Sequence, residues 1–381
     1  MTPFKVTVSD LEFVGRDLAR PECVVTTATG DVYVSDRRGG IVHLLPDGRQ
    51  KLLAGQGVDG FLPNGFSLLP DRSFAVANIG HMGGAWRLMP DGELIPEVVA
   101  VKGMVLPPTN FVHAEQEGGE VRLWVSVSTR HVPREHAFRH DVADGYIVLK
   151  DKTDVRIVAD GLGFANETKV DPSGRWLYVN ETIARRLSRF AIRERGDLGP
   201  RETVAEFGEG TFPDGFEFDA EGGIWIASVV SNRLLRLAPD GTQRIVLEDA
   251  DPEAVARAEH HYALNALSRA DIDGGRHRTL GNLASVTFGG PDLKTVYLGS
   301  LFGARIATFR SPIAGAAPLG GTDILGGRGS YLGTVAGVIL LTLLASMLSI
   351  MQIEEAGKQI IYGAVITIML LVYGRGAKVH W

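Results

Sequence analysis

Cysteine is all but missing. Cys23 is the single one in 381 residues, so no internal disulfide can form and no cysteine-based zinc cluster exists. An excess of positive charge is missing too. Lys and Arg number 39 against 45 Asp and Glu, a net charge of −6, which argues against a general nucleic-acid binder with its basic stripe. Hydrophobic residues at 45% and charged ones at 22% lie near globular averages and exclude global disorder. The opening MTPFKVTVSDLEF carries Asp10 and Glu12 and no long apolar run, so no secretory signal is expected. Helical periods between strands are scarce up to about Arg310, which disfavours a barrel of alternating strands and helices. No GxSxG elbow leads into a helix, so a serine triad has little support. GLGFAN and GGRGS are glycine-rich but lack the strand-to-helix context of a phosphate loop.

What is present falls into two unequal parts, and charge finds the boundary. Beyond Gly320 the acidic residues are only Asp323, Glu354 and Glu355, and the basic ones Arg328, Lys358, Arg375 and Lys378. Tyr331 to Ile353 is an uncharged run of 23 residues and Gln359 to Gly374 a second of 16. The first is long enough to cross a bilayer as one helix. Positive flanks on both outer sides predict a hairpin with the large N-terminal part in the cytoplasm. The expected organisation is therefore a body over 1–318 and an apolar α-helical tail over 319–381, with membrane association through 331–374. A hairpin packed on a soluble body is the alternative. The stretch SPIAGAAPLGG, Ser311 to Gly321, has linker character.

The body repeats itself. Six segments align, beginning at Ala19, Phe61, Leu106, Gly163, Thr211 and Gly281, each a short alternating strand, a Gly- or Asp-bearing turn and a second strand such as DVYVSD, RWLYVN or GIWIAS. That is a hairpin signal. Weaker strand pairs follow most of them, around turns such as LPDGR, MPDGE and APDGT. Four strands per unit, repeating every 40–50 residues or so, is the spacing of a β-propeller. The predicted fold is all-β, a six-bladed propeller. Asp249 to Gly275 reads as a helical insertion before the last blade.

One position of the repeat carries chemistry. At the start of each first strand it reads Glu22, Asn64, Asn110, Asn166, Asp214 and Ala284. First strands line the axis of a propeller, so five polar groups should converge at one depth. Carboxylates buried together cost several kcal/mol unless a cation or a proton compensates. Two carboxylates with amide oxygens make a hard donor set suited to Ca²⁺, Mg²⁺ or Mn²⁺; a water-filled channel with solvated polar ends is the other reading. Hairpin parity places the loops after the second strands around this ring. The longest, Ser128 to Tyr146, holds Arg130, His131, Arg134, His136, Arg139 and His140 and reads as a lid or anion clamp. Arg130 and His131 lie nearest the strand end and are the preferred candidates.

With GRWLYVNET, FPDGFEFDAEGGIWIAS and TFGGPDLKTVYLGS in view, residues 13–310 resemble the senescence-marker-protein/gluconolactonase/luciferin-regenerating-enzyme family of six-bladed propellers. The resemblance implies one divalent cation, Ca²⁺ first with Mg²⁺, Mn²⁺ or Zn²⁺ also open, held by Glu22, Asn166 and Asp214. It also implies that Asn110 contacts substrate or metal. Two departures stand out. The family's Glu-Gly-Pro is here Glu22-Cys23-Val24, and its Asn-Gly in blade four is Asn166-Glu167. Separately, GGTDILGGRGSYLGTVAGVILLTLLASMLSIM resembles the C-terminal end of a ribose-type sugar ABC-transporter permease, too short a piece to form a pathway.

The expected function is a gluconolactonase-like hydrolase that opens a sugar-derived or other small lactone. A divalent ion polarises the carbonyl, and Asp214 acts as general base or nucleophile. Asn110 and Asn64 orient substrate oxygens, while Arg130, with His131 beside it, fixes polar or anionic groups. Two alternatives are a phosphotriesterase-like or other esterase at the same ion and a metal-stabilised binding propeller without turnover.

Overall fold

The structure, a computed structural model, describes residues 4–27, 29–117 and 120–316. The expected C-terminal hairpin, its membrane association and its permease-like identity all fall outside the described residues. Among the described residues no helix is long and apolar enough to cross a membrane.

Six four-stranded antiparallel sheets succeed one another as blades I to VI. Blade I spans 24–54, blade II 63–98, blade III 111–162, blade IV 165–206 and blade V 211–248. Blade VI contains Leu283–Gly289, Thr295–Ser300 and Ile306–Arg310, and its outermost strand is Glu12–Val14 from the start of the chain. That strand pairs antiparallel with Ile306–Arg310, Phe13 opposite Ala307, so the ring is closed by backbone hydrogen bonds between the two ends. The strand left at that blade's outer edge is only three residues long, the short kind of edge that resists pairing with another chain. The repeat count did not reveal it, because a three-residue strand has no periodicity to detect.

Blades adhere through their faces. Trp225 of blade V is fully buried with Val286, Phe288 and Val296 of blade VI, and Trp124 of blade III packs with Leu177, Val179 and Phe190 of blade IV. An indole N–H taken from water needs an acceptor. Trp225 Nε1 donates to Asp219 Oδ2 at 2.9 Å and Trp124 Nε1 to Glu115 Oε2 at 2.9 Å. The predicted helical insertion is present as α1, Pro252–Ala263, and α2, Arg269–Ile272. Asp251 caps α1 by accepting from the N–H groups of Glu253 and Ala254, and Ser268 caps α2 in a capping box with Asp271. The stretch read as a linker departs from expectation in its described half. Ala220 N donates to Ala314 O, Gly315 N to Leu293 O and Ala316 N to Phe218 O, so residues 314–316 are docked on blades V and VI. Pro and Gly there end regular structure without freeing the chain.

Candidate functional site

Ring residues need a backbone that turns a side chain out of the strand alternation and toward the axis. The structure supplies this with register breaks. Pairing between first and second strands is interrupted from Pro63 to Phe66, Ala165 to Thr168, Pro213 to Phe216 and Leu283 to Ser285, bracketing Asn64, Asn166, Asp214 and Ala284. Bulges re-aim side chains in this way. In blades I and III the ring residue precedes the regular strand instead, Glu22 before Val24–Thr26 and Asn110 before Phe111–Glu117. Pro63-Asn64-Gly65 and Pro213-Asp214-Gly215 show why the sequence allows it. Proline does without a ladder N–H, and glycine lets the neighbouring blade come close. A Cβ on Gly65 would lie 2.0 Å from Phe111 Cδ2, and one on Gly215 would lie 2.8 Å from Ala284 O and 2.9 Å from Ser285 Cα. Backbone cannot yield cheaply. Gly215→Ala is expected to cost about 1–3 kcal/mol through overpacking, read as a lower denaturant midpoint at unchanged slope.

A second repeated device anchors the approach to the ring. Buried polar side chains ending the second strands accept backbone N–H groups just before the ring residue: Asp36 from Ala19 at 2.9 Å, Asn78 from Leu62 at 2.9 Å and Glu181 from Gly163 at 2.7 Å. The sequence carries that signal in VYVSD, FAVAN and LYVNE, each of which ends a second strand on an acidic residue or an asparagine. Arg20 and Phe164, each two residues before its ring residue, have φ of 55° and 67°. This left-handed backbone is costly for non-glycine residues and concentrates at functional sites.

The ring is assembled. Glu22, Asn64, Asn110, Asn166 and Asp214 are all buried, and all but Asn64 line one cavity of about 40 Å³. Asn64 lies behind it as a brace. Its Nδ2 donates to Glu22 Oε1 and to Asn110 O, both at 2.8 Å, and its Oδ1 accepts from Arg20 Nη1 at 2.8 Å. Thr182 Oγ1 donates to Pro213 O at 2.7 Å and must therefore accept from Asn166 Nδ2 at 2.9 Å. That fixes the amide flip and leaves Asn166 Oδ1 as a donor to a cation. Arg20 Nη1 lies 2.5 Å from Glu22 Oε2. No hydrogen bond or ion pair among the described residues reaches the Asp214 carboxylate. Its burial, then repulsion from Glu22 and Glu167, raise its pKa well above the ordinary range despite the opposing pull of Arg20 and Arg134.

Beneath the ring, the residue that departs from the family pattern has a partner of its own. Glu167 Oε1 is 2.7 Å from Lys169 Nζ, which also reaches Glu217 Oε2 and Phe216 O at 2.8 Å. Burial pushes Glu167 up to about 7, held from going further by Lys169. The two carboxylates outweigh burial at Lys169 and keep it charged.

Arg130 and His131 are not brought to this cavity. The Arg130 guanidinium is clamped by Asp160 at 2.9 and 2.8 Å and lies over the Tyr146 ring, while His131 is half exposed, 3.8 Å from Asp144 and edge-on to His136. Arg134 of the same loop is there in their place. Residues Arg134–Ala137 form a 3₁₀ turn, Ala137 and Phe138 anchor in the core beside Phe164, and the Arg134 guanidinium lies 4.9 Å over the Phe164 ring. Nearness to the strand end was the wrong guide because the loop doubles back on its apolar anchors. An outer recess of about 440 Å³ opens above the first cavity. Both are lined by Arg20, Ile79, Arg134, Arg269 and Leu301. Arg20 and Arg269 had no role in the sequence reading.

Fold and ring together define a six-bladed propeller with an axial site of oxygen donors and an arginine-lined mouth. Residues 20–255 match the SMP-30/Gluconolactonase/LRE-like region, and the chain belongs to that family. The 6-deoxy-6-sulfogluconolactonase of Pseudomonas putida is 31% identical over 140 residues, 35% of this chain and 46% of that protein. Human serum paraoxonase/arylesterase 1 is 29% identical over 86 residues, 22% of this chain and 23% of its own length. The aligned segments thus span less than half of either curated relative. Among solved structures, a gluconolactonase from Xanthomonas campestris superposes with a TM-score of 0.58 at 17% identity, covering 81% of this chain and 91% of that one. The calcium-binding protein regucalcin from Agrobacterium tumefaciens does so with 0.58 at 17%, covering 83% and 98%. At such identities the superpositions speak to the fold.

Proposed function

We propose that this chain is a metal-dependent lactonase that opens a sugar-derived or other small lactone. Support comes from the family, from the Pseudomonas relative's lactonase activity and above all from one observation. Two buried carboxylates from blades I and V share a cavity with amide oxygens from blades III and IV, and one of them, Asp214, has no cationic partner among the described residues. Among the described residues no group of three or more His, Cys, Asp or Glu side chains is placed to hold a metal ion, whereas the ring offers two carboxylates together with amide oxygens. That chemistry fits a hard divalent cation, with Glu22, Asn166 and Asp214 as its holders. When bound, such an ion supplies charge for the carbonyl and its developing oxyanion.

The chain's own residues do the rest. Asp214 takes the proton of the attacking water through its carboxylate. Asn110, held by Ser128 Oγ at 3.2 Å, turns its amide toward the substrate oxygen. Asn64 keeps Glu22 and Asn110 in place, and Phe138, Phe164 and Ile183 keep the inner wall dry.

Purified full-length protein should contain a near-stoichiometric divalent ion by elemental analysis. Chelation should cut lactone turnover at least about a hundredfold, and refilling should restore it. Binding the native state alone at a hundred times Kd is worth about 2.7 kcal/mol, so refilling should also raise Tm. Turnover indifferent to chelator overturns the metal requirement. Hydrolysis of an organophosphate with no lactone opened would favour the esterase reading. A metal-dependent rise in Tm with every lactone and ester untouched would leave a binding propeller.

A further inference from the structure

Three arginines converge where the inner cavity meets the outer recess, and they are not equally satisfied. Arg20 is paired with Glu22 at 2.5 Å. Arg269 has Glu135 at 3.4 Å and Asp273 at 3.7 Å. Among the described residues Arg134 has no carboxylate partner. Its one protein hydrogen bond is from Nη2 to Ser128 Oγ at 3.1 Å, and its buried Nε and Nη1 reach no acceptor among the described residues. A guanidinium drawn out of water needs acceptors, and a buried cation without a counter-charge is costly. Burial and the neighbouring Arg269 bring Arg134 down to about 10, which leaves it charged at neutral pH.

We infer that the lactone taken by this site carries an anionic group, a sulfonate, phosphate or carboxylate remote from the ring carbonyl, held by Arg134 with Arg269 beside it. The inference rests on the lactonase reading for the other end of the substrate. With Glu22 and Asp214 committed to a cation, they no longer balance the mouth, and the acids of the outer recess, Glu135 and Asp273, are drawn to Arg269. A neutral hydroxyl could accept a hydrogen bond from Arg134 but would leave the three positive charges facing one another. An oxyanion removes both costs and forms the charge-assisted bonds that guanidinium favours. The outer recess of about 440 Å³ has room for a monosaccharide-sized body between the two ends.

The test compares glucono-1,5-lactone with its counterparts bearing sulfonate, phosphate or carboxylate at C6, using the metal-loaded full chain. Wild type should favour an anionic member by about a hundredfold in kcat/KM, and Arg134→Gln should lower that preference about thirtyfold, as expected for loss of a charged hydrogen bond. The loss should fall mainly in KM, with Arg134→Lys keeping part of the preference. Arg269→Gln gives the same reading should the Arg134 variant not fold. Preference below threefold in wild type, or a ratio unmoved by either variant, overturns the inference while leaving lactone hydrolysis standing. If no lactone is opened, the hydrolytic reading fails, and calorimetry decides this point alone. Binding of 6-deoxy-6-sulfoglucitol but not of uncharged glucitol, lost in Arg134→Gln, supports the anion site; equal binding of the two polyols overturns it.

Discussion

Asp214→Asn is expected to lower kcat/KM for lactone hydrolysis about a thousandfold, inside the 10²–10⁴ range of a positioned general base. Asparagine keeps the shape and one oxygen but cannot take a proton from water. The same substitution should move stability in the opposite direction in metal-free protein. Asp214 is buried and repelled by Glu22, so its folded pKa is raised. A carboxylate with a raised folded pKa contributes stability below its unfolded value near 4 and loses it as pH climbs toward the folded one. Above that window the wild type holds a charge it cannot neutralise, and the amide removes it. Without metal, Asp214→Asn should therefore melt higher than wild type near pH 8, and metal should reverse the order. Lactone turnover within threefold of wild type would exclude Asp214 as the base. A metal-free variant no more stable than wild type would exclude the repulsion.

Lys169→Met should have the largest effect on folding, about 3–5 kcal/mol, the range for removing one partner of a buried ion pair. Lys169 is the shared counter-charge of Glu167 and Glu217 and also donates to Phe216 O. Without it Glu167 must bind a proton or stay charged facing Asp214, so the penalty should grow from pH 5 to pH 8. Adding Glu167→Gln should return part of the loss, a coupling that a double-mutant cycle reads directly. A single-variant change below 1 kcal/mol, or losses of the two substitutions that simply add, would mean that the trio is not a unit.

The departure of Asn166-Glu167 from the family's Asn-Gly is explained by this trio. In sequence the extra carboxylate is a departure from the family pattern with no partner in view. In the structure it lines neither the inner cavity nor the outer recess and is held by a lysine two residues on in the same strand, braced by Glu217 of the next blade. Period-two alternation puts Glu167 and Lys169 on one face of the strand, but only the tertiary structure adds Glu217 and Phe216 O from the next blade.

The chain's repeats determined the blade count, the helical insertion and the ring position, since each follows from local patterning: alternation for strands, Gly and Asp for turns, and the same register in every unit. They also named Glu22, Asn110, Asn166 and Asp214 as groups meeting at one depth. Only the tertiary structure decided that Asn64 braces its neighbours instead of lining the cavity, that Arg130 is spent on Asp160, and that Arg20, Arg134 and Arg269 share the mouth. Those three come from an inner-strand approach, a long loop and an inserted helix, with no common period. What brings them together is burial of Phe138, Phe164 and Ile272 in one apolar cluster, and packing between segments far apart in the chain leaves no local trace.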